Sequence, residues 1–278
     1  MSRLISRRRA LILPAAALCA PAIVRAQVSP IPGVGVPTVI PTTAGFDPAS
    51  LVTGAGGFWR ADVGVSGSPV TTWNDQSHNA ANLSGGAGVA TKPTWSSTAF
   101  NTSFPGVIFD STQNQNVVKT SFGFTSTTVS MFFLATINAS QPNDVTESLL
   151  MGVINSGFST GAPARSISAQ QSTSKLFTYA NANFNPSMSY TPGSPWMAGY
   201  IYDGVNVTAY TAITGGSSGA FSGTIGSGTS VMNIGTAAGD TFGTQMVMAY
   251  ALLTDYALSG ANRTSLKNWT NSHWGTSF

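Results

Sequence analysis

Acid–base, nucleophilic or metal chemistry in this chain would have to come from nine acidic side chains, two histidines and one cysteine. Glycoside hydrolysis needs two carboxyl groups roughly 5–10 Å apart, one as acid and one as nucleophile or base. Glu147 is the single glutamate, flanked by Thr146 and Ser148 with no acid two residues away. A strand carrying paired carboxylates is therefore absent. Lyase chemistry needs a basic side chain against an acidic sugar, and a Ser-His-Asp triad needs a histidine beside a nucleophile. His78 falls in a loop and His273 near the C-terminus, so neither chemistry is expected. Two histidines and one cysteine also rule out a structural zinc cluster. No catalytic residue and no organic cofactor is assigned.

Calcium asks less of side chains, because carboxylate, amide and backbone oxygens all serve as ligands. Asp62, Asp75, Asn79, Asn82 and Asp240 are donors of that type, and Asp62, Asp75 and Asn79 form the set assigned to a possible calcium ion. The competing role for Asp75 is to tie down its own loop through hydrogen bonds to backbone N–H groups. Sugar rings stack on exposed aromatic faces. Trp95, Trp196 and Tyr202 are the side chains assigned to ligand contact, whereas Trp269 and Trp274 are expected to pin a helix onto a sheet.

The elements that must position these groups read as strands. Short runs rich in Val, Ile, Phe, Tyr and Thr alternate with clusters of Gly, Ser, Asn and Asp from residue 57 onward. The runs cover 58–63, 70–74, 106–110, 116–120, 129–138, 148–154, 164–169, 176–181, 196–202, 205–211, 230–234 and 246–254. Asp203-Gly204, between two alternating runs, predicts a hairpin with a type I′ turn. Both faces of 196–202 carry bulk, as in a strand buried on two sides. A single helix is expected after Ser259 as N-cap, with Leu266 and Trp269 on one face and Gly275 as terminator.

Residues 1–26 have the order of an export signal. Arg3, Arg7, Arg8 and Arg9 precede an apolar stretch broken by Pro14 and Pro21, and Val24-Arg25-Ala26 suits cleavage before Gln27. A membrane span needs about 20 unbroken apolar residues, which this stretch lacks. Ser6-Arg7-Arg8-Arg9-Ala10-Leu11-Ile12 resembles a twin-arginine signal. The expected locations are periplasmic, cell-surface or extracellular. Residues 27–56, with prolines at 30, 32, 37, 41 and 48, read as an extended linker. Five of the twelve basic residues leave with the signal, so seven oppose nine acids and the net charge is −2. No basic face is left to engage nucleic acid, and the only cysteine leaves too.

Two segments carry a family resemblance. Phe58-Trp59-Arg60-Ala61-Asp62 followed by Val70-Thr71-Thr72-Trp73-Asn74-Asp75-Gln76-Ser77-His78-Asn79-Ala80-Ala81-Asn82 resembles the opening of bacterial LamG-like domains. Ala249-Tyr250-Ala251-Leu252-Leu253, Leu258-Ser259-Gly260-Ala261-Asn262-Arg263 and Trp274-Gly275 resemble their closing strand and helix. Lys92-Pro93-Thr94-Trp95, Pro105 to Asp110 and Met232-Asn233-Ile234-Gly235 are similar to internal landmarks, in the same order. His78, Gly260 and Asn262 depart from the pattern. The resemblance implies that Trp59 and Trp73 are framework positions. It implies an all-β concanavalin A-like jelly roll over residues 57–278, two antiparallel sheets with one short C-terminal helix. Function is then expected to be non-catalytic binding of a carbohydrate or another cell-surface ligand. A self-associating structural protein of the cell surface or of a phage-derived particle, and a divergent hydrolase or lyase, are the alternatives.

Overall fold

The computed structural model describes residues 45–88, 91–138, 148–154, 165–170, 173–180, 183–212, 214–220, 231–236 and 245–278. The expected export signal, most of the linker, Glu147 and Asp240 lie outside the described residues. In chain order the strands are β1 (Gly56–Arg60), β2 (Val65–Ser66), β3 (Thr72–Trp73), β4 (Leu83–Gly85), β5 (Thr94–Phe100), β6 (Phe104–Phe109), β7 (Asn116–Lys119), β8 (Val129–Ile137) and β9 (Ser148–Ile154). They continue as β10 (Arg165–Gln170), β11 (Lys175–Ala180), β12 (Asn183–Ser189), β13 (Pro195–Tyr202), β14 (Asn206–Thr211), β15 (Thr214–Ala220), β16 (Val231–Gly235) and β17 (Met246–Thr254). The helix α1 (Gly260–Trp274) follows.

Among the described residues, seventeen strands form two antiparallel sheets. The eight-stranded sheet runs β15-β14-β13-β8-β17-β6-β5, with β1 also paired to β17; the nine-stranded sheet runs β12-β11-β10-β9-β16-β7-β4-β3-β2. One edge of β17 is divided between two partners. Met246–Met248 pair with β6, and the residues from Tyr250 to Thr254 pair with β1. Inner faces of the two sheets share one apolar cluster, with Trp59, Phe133 and Tyr200 from the first sheet and Met151, Ile167 and Met232 from the second. Trp59 Nε1 ties the sheets further by donating to the Ala81 carbonyl at 2.9 Å.

Runs buried almost throughout, such as Val129–Ile137, arise because β8 and β17 are covered twice, by the second sheet inside and by α1 outside. The helix buries Leu266, Trp269, Thr270, His273 and Trp274, a stripe at three- and four-residue spacing. Its course is recorded by its contacts. The Arg263 guanidinium stacks over Tyr210 of β14, Trp269 meets Phe58 and Tyr250, and Trp274 meets Phe100 and Phe104. Ser259 Oγ accepts the Asn262 N–H, and Gly275 closes the helix at φ +61°, as the sequence predicted.

Three features differ from expectation. The β13–β14 turn is centred one residue later, on Gly204-Val205: Asp203 N–H donates to the Asn206 carbonyl, and only Gly204 has positive φ. The Asp203 carboxylate stabilises this arrangement by accepting the Val205 and Asn206 N–H groups, which a type I′ turn at Asp203-Gly204 would not present. The packed domain also begins ahead of residue 57. Pro48–Leu51 form a 3₁₀ turn capped by Asp47, and Leu51 and Val52 are buried. Finally, β2, β4, β5, β12 and β15 have little apolar signal of their own and exist through pairing.

Candidate functional site

Strand alternation divides the nine-stranded sheet except at one bulge. Val117, Met232, Ile234, Met151, Val153 and Ile167 belong to the apolar cluster between the sheets. Across the regularly paired stretches their neighbours Val118, Asn233, Gly152 and Ser166 therefore face the other way, whereas the register shift between Ile167 and Ser168 leaves Leu150 in the cluster beside Met151. Pairing registers align these outward residues in one transverse row: Ser84 with Val118, Val118 with Asn233, Asn233 with Gly152, and Gly152 with Ser166. With strands about 4.8 Å apart, the row is roughly 19 Å long. It contains amide, hydroxyl, glycine and one β-branched side chain, with no charge.

At the Ser84 end lies a depression of about 330 Å³ lined by Asn82, Ser84, Val118, Lys119 and Thr120. Asn82, Ser84 and Thr120 are exposed, and Val118 and Lys119 half-buried. Asn82 Oδ1 accepts the Asp75 N–H at 3.0 Å, which fixes the side chain and leaves Nδ2 to donate. At the other end Asn233, Ser166 and Ser168 are fully buried, and Asn233 Oδ1 and both serine Oγ atoms have no hydrogen-bond partner among the described residues. Asn233 Nδ2 donates to the Thr236 carbonyl, which fixes the amide orientation. Apart from Asn82, named as an oxygen donor for calcium, the sequence marked none of these residues as a site, because serine, threonine and asparagine are everywhere in this chain and only strand register selects a face.

The three aromatics assigned to ligand contact are not brought together. Trp95 is half-buried on β5, with Nε1 donating to the Ala61 carbonyl at 2.7 Å. Trp196 and Tyr202 sit at opposite ends of β13, six residues or about 20 Å apart, and four strands from β5. Trp196 is half-buried against Tyr190, and Tyr202 is buried with its hydroxyl donating to the Gly204 carbonyl. No shared stacking platform results.

The acidic residues assigned to calcium are also separate. Both Asp75 oxygens are fully engaged: Oδ1 accepts the N–H groups of Phe58 and Ser77, and Oδ2 accepts Ser77 Oγ–H and Ala81 N–H. Asn79 uses Nδ2 to donate to the Gly54 and Gly56 carbonyls. Asp62 lies elsewhere, beneath α1. Its carboxylate accepts two hydrogen bonds from Arg60 and one from His273 Nε2 at 2.8 Å. Burial pushes the Asp62 carboxyl upward, but the His273 and Arg60 hydrogen bonds and the Arg60 charge outweigh it and hold the group below its ordinary range. Among the described residues no cluster of three or more His, Cys, Asp or Glu side chains forms a metal site.

His273 stacks on Trp269 at 4.6 Å and is nearly solvent-free, so its partners are structural. His78 is exposed. Two Gly-x-Ser-x-Gly patterns also occur. Gly157-Phe158-Ser159-Thr160-Gly161 lies outside the described residues. Gly215-Gly216-Ser217-Ser218-Gly219 lies within edge strand β15, not at the strand-to-helix turn that a nucleophile elbow requires.

No protein-family profile matches the chain, and no curated protein matches it in sequence. Solved structures do match in fold. Trypanosoma rangeli sialidase in complex with sialic acid aligns at TM-score 0.58 and 14% identity, over 82% of this chain and 35% of that one. The binding domain of Paraclostridial Mosquitocidal Protein 1 aligns at TM-score 0.57 and 14% identity, over 80% and 53%. The binding domain of botulinum neurotoxin serotype G aligns at TM-score 0.56 and 12% identity, over 79% and 53%. The chain thus spans about a third to a half of these proteins, and at such identities the similarity establishes a shared β-sandwich architecture.

Proposed function

We propose that this chain is an exported, non-catalytic binding module of the concanavalin A-like jelly-roll type, taking a carbohydrate of the cell surface or its surroundings. The observation that carries this reading is the depression at Asn82, Ser84, Val118, Lys119 and Thr120 on the outer face of the nine-stranded sheet. It offers amide, hydroxyl and ammonium groups at a surface, with no carboxylate among its lining residues to serve as acid or nucleophile. The similar structures, a sialidase in complex with sialic acid and two toxin binding domains, favour the same class of role. In this reading Asp75 organises its loop without an ion, so binding proceeds equally with and without calcium.

An immobilised glycan panel, probed with the purified chain in calcium and in EDTA, tests the proposal. Expected is retention of at least one glycan, equal in both buffers and weakened by Ser84→Trp, which fills the depression. Retention of none overturns the binding reading. Binding confined to calcium overturns the ion-free role of Asp75.

A further inference from the structure

The depression at the Ser84 end of the row is lined by donors. Asn82 Oδ1 is committed to the Asp75 N–H, so the unengaged part of that amide is Nδ2, which donates. Lys119 brings an ammonium, which donates and never accepts. Among the described residues neither these two groups nor the hydroxyls of Ser84 and Thr120 have a side-chain partner. Val118 supplies the apolar part of the lining. Charge is as one-sided as hydrogen bonding. No lining residue is acidic, and ion pairs among the described residues are confined to Asp62 with Arg60 and His273, beneath α1. Asp75 touches the site only through its backbone N–H and spends both carboxylate oxygens on Phe58, Ser77 and Ala81. Seven basic side chains face nine acids from residue 27 onward, so an unpaired ammonium in a depression is not the by-product of a basic surface.

We infer that the depression takes an anionic sugar, its carboxylate or sulfate held by Lys119 and Asn82 Nδ2 and its ring lying against Val118. This rests on the binding role proposed above and names the ligand class for the same site. An oxyanion accepts from every polar group in the lining, and a hydrogen bond from an ammonium to an oxyanion is roughly twice as strong as one between neutral groups. A neutral sugar brings hydroxyl hydrogens for which Lys119 and Asn82 Nδ2 offer no acceptor. A cationic sugar meets a like charge at Lys119 with no carboxylate to offset it. At about 330 Å³ the depression lies at the small end of the range for ligand sites, which suits a terminal sugar rather than a chain laid along the sheet.

Calorimetric titration of the full chain with matched acidic and neutral probes tests class and place together. The probes are hexagalacturonate and sialyllactose, each beside its methyl ester, and lactose sulfate beside lactose. Wild type is expected to bind at least one acid roughly tenfold or more tightly than its neutral match, and to lose most of that margin in about 1 M sodium chloride, where charges are screened within about 3 Å. The stronger of the carboxylate and sulfate arms identifies the oxyanion. Lys119→Met is expected to remove the margin and Lys119→Arg to keep it. Urea midpoints of both variants should match wild type, because Lys119 has no ion pair among the described residues to lose. Equal affinity for acids and their neutral matches, or a margin that survives Lys119→Met, overturns the ligand class and leaves the binding role standing. No binding of any probe overturns the class as well, and the glycan panel then decides whether the binding role survives.

Discussion

Replacing Asp75 by alanine removes one carboxylate and leaves three backbone N–H donors without their acceptor. Those of Phe58 and Ala81 belong to buried residues, while Ser77 is half-buried and can turn to water. A buried donor stripped of its partner costs about 1–3 kcal/mol, so two give about 2–6 kcal/mol, and the half-buried third adds little once it turns to water. Phe58 lies on β1, whose free edge is covered by the segment at Asp75 and Gln76. The loss therefore falls on a strand paired to the centre of the sheet. Equilibrium urea unfolding of wild type and Asp75→Ala, followed by tryptophan fluorescence, reads the effect as a lower midpoint at unchanged slope. A loss under about 1 kcal/mol would refute the assignment of these bonds as the main support of the loop. Calcium that raises the wild-type midpoint but not the variant's would show that the carboxylate serves an ion instead.

Three further outcomes are expected. The Asp62 carboxyl is held below its ordinary value of 3.8 by His273 and Arg60; its contribution is complete above that value and is lost as pH falls through the lower folded one. Urea midpoints measured from neutral to strongly acid pH should fall less steeply in Asp62→Asn than in wild type over that acid range. Trp269→Ala removes a buried ring from between Phe58, Tyr250 and His273. It should cost about 3–5 kcal/mol by denaturant titration and weaken near-ultraviolet circular dichroism. Gly199→Ala drives a Cβ into the Met131 carbonyl and the Phe132 ring, so it should give little soluble protein on expression, whereas Ala198→Gly should not.

Strand and helix signals were readable where packing and local chemistry coincide. Ser148–Ile154 and Met246–Thr254 match the structure end to end because both are buried on both faces. Ser259 and Gly275 mark the helix through a capping hydroxyl and a left-handed residue. The strands β5 and β15, Thr-Trp-Ser-Ser-Thr-Ala-Phe and Thr-Gly-Gly-Ser-Ser-Gly-Ala, were unreadable because neighbours supply their order. The site was less legible still. Asp62 and Asp75 share a chemical type yet sit in different environments, one against Arg60 and His273, the other against backbone amides. Ser84 differs from dozens of similar residues only in register, a long-range property. Aromatic residues drew attention by type, but Tyr202 and Trp95 hydrogen-bond to carbonyls of their own chain.

The position of β17 governs how the chain must acquire its structure. The first strand of the domain, Gly56–Arg60, bonds to a strand beginning at Met246, and that strand also separates β8 from β6. Until nearly the whole chain has been synthesised, the eight-stranded sheet lacks its middle and α1 has no surface to cross. Contacts so distant in sequence fold slowly, because a long loop must close before any of them forms. A chain interrupted before residue 246 would leave β1, β6 and β8 with open edges, the sites where strands of different molecules join. Completion of the last strand and helix is thus the step that separates a folding chain from an aggregating one.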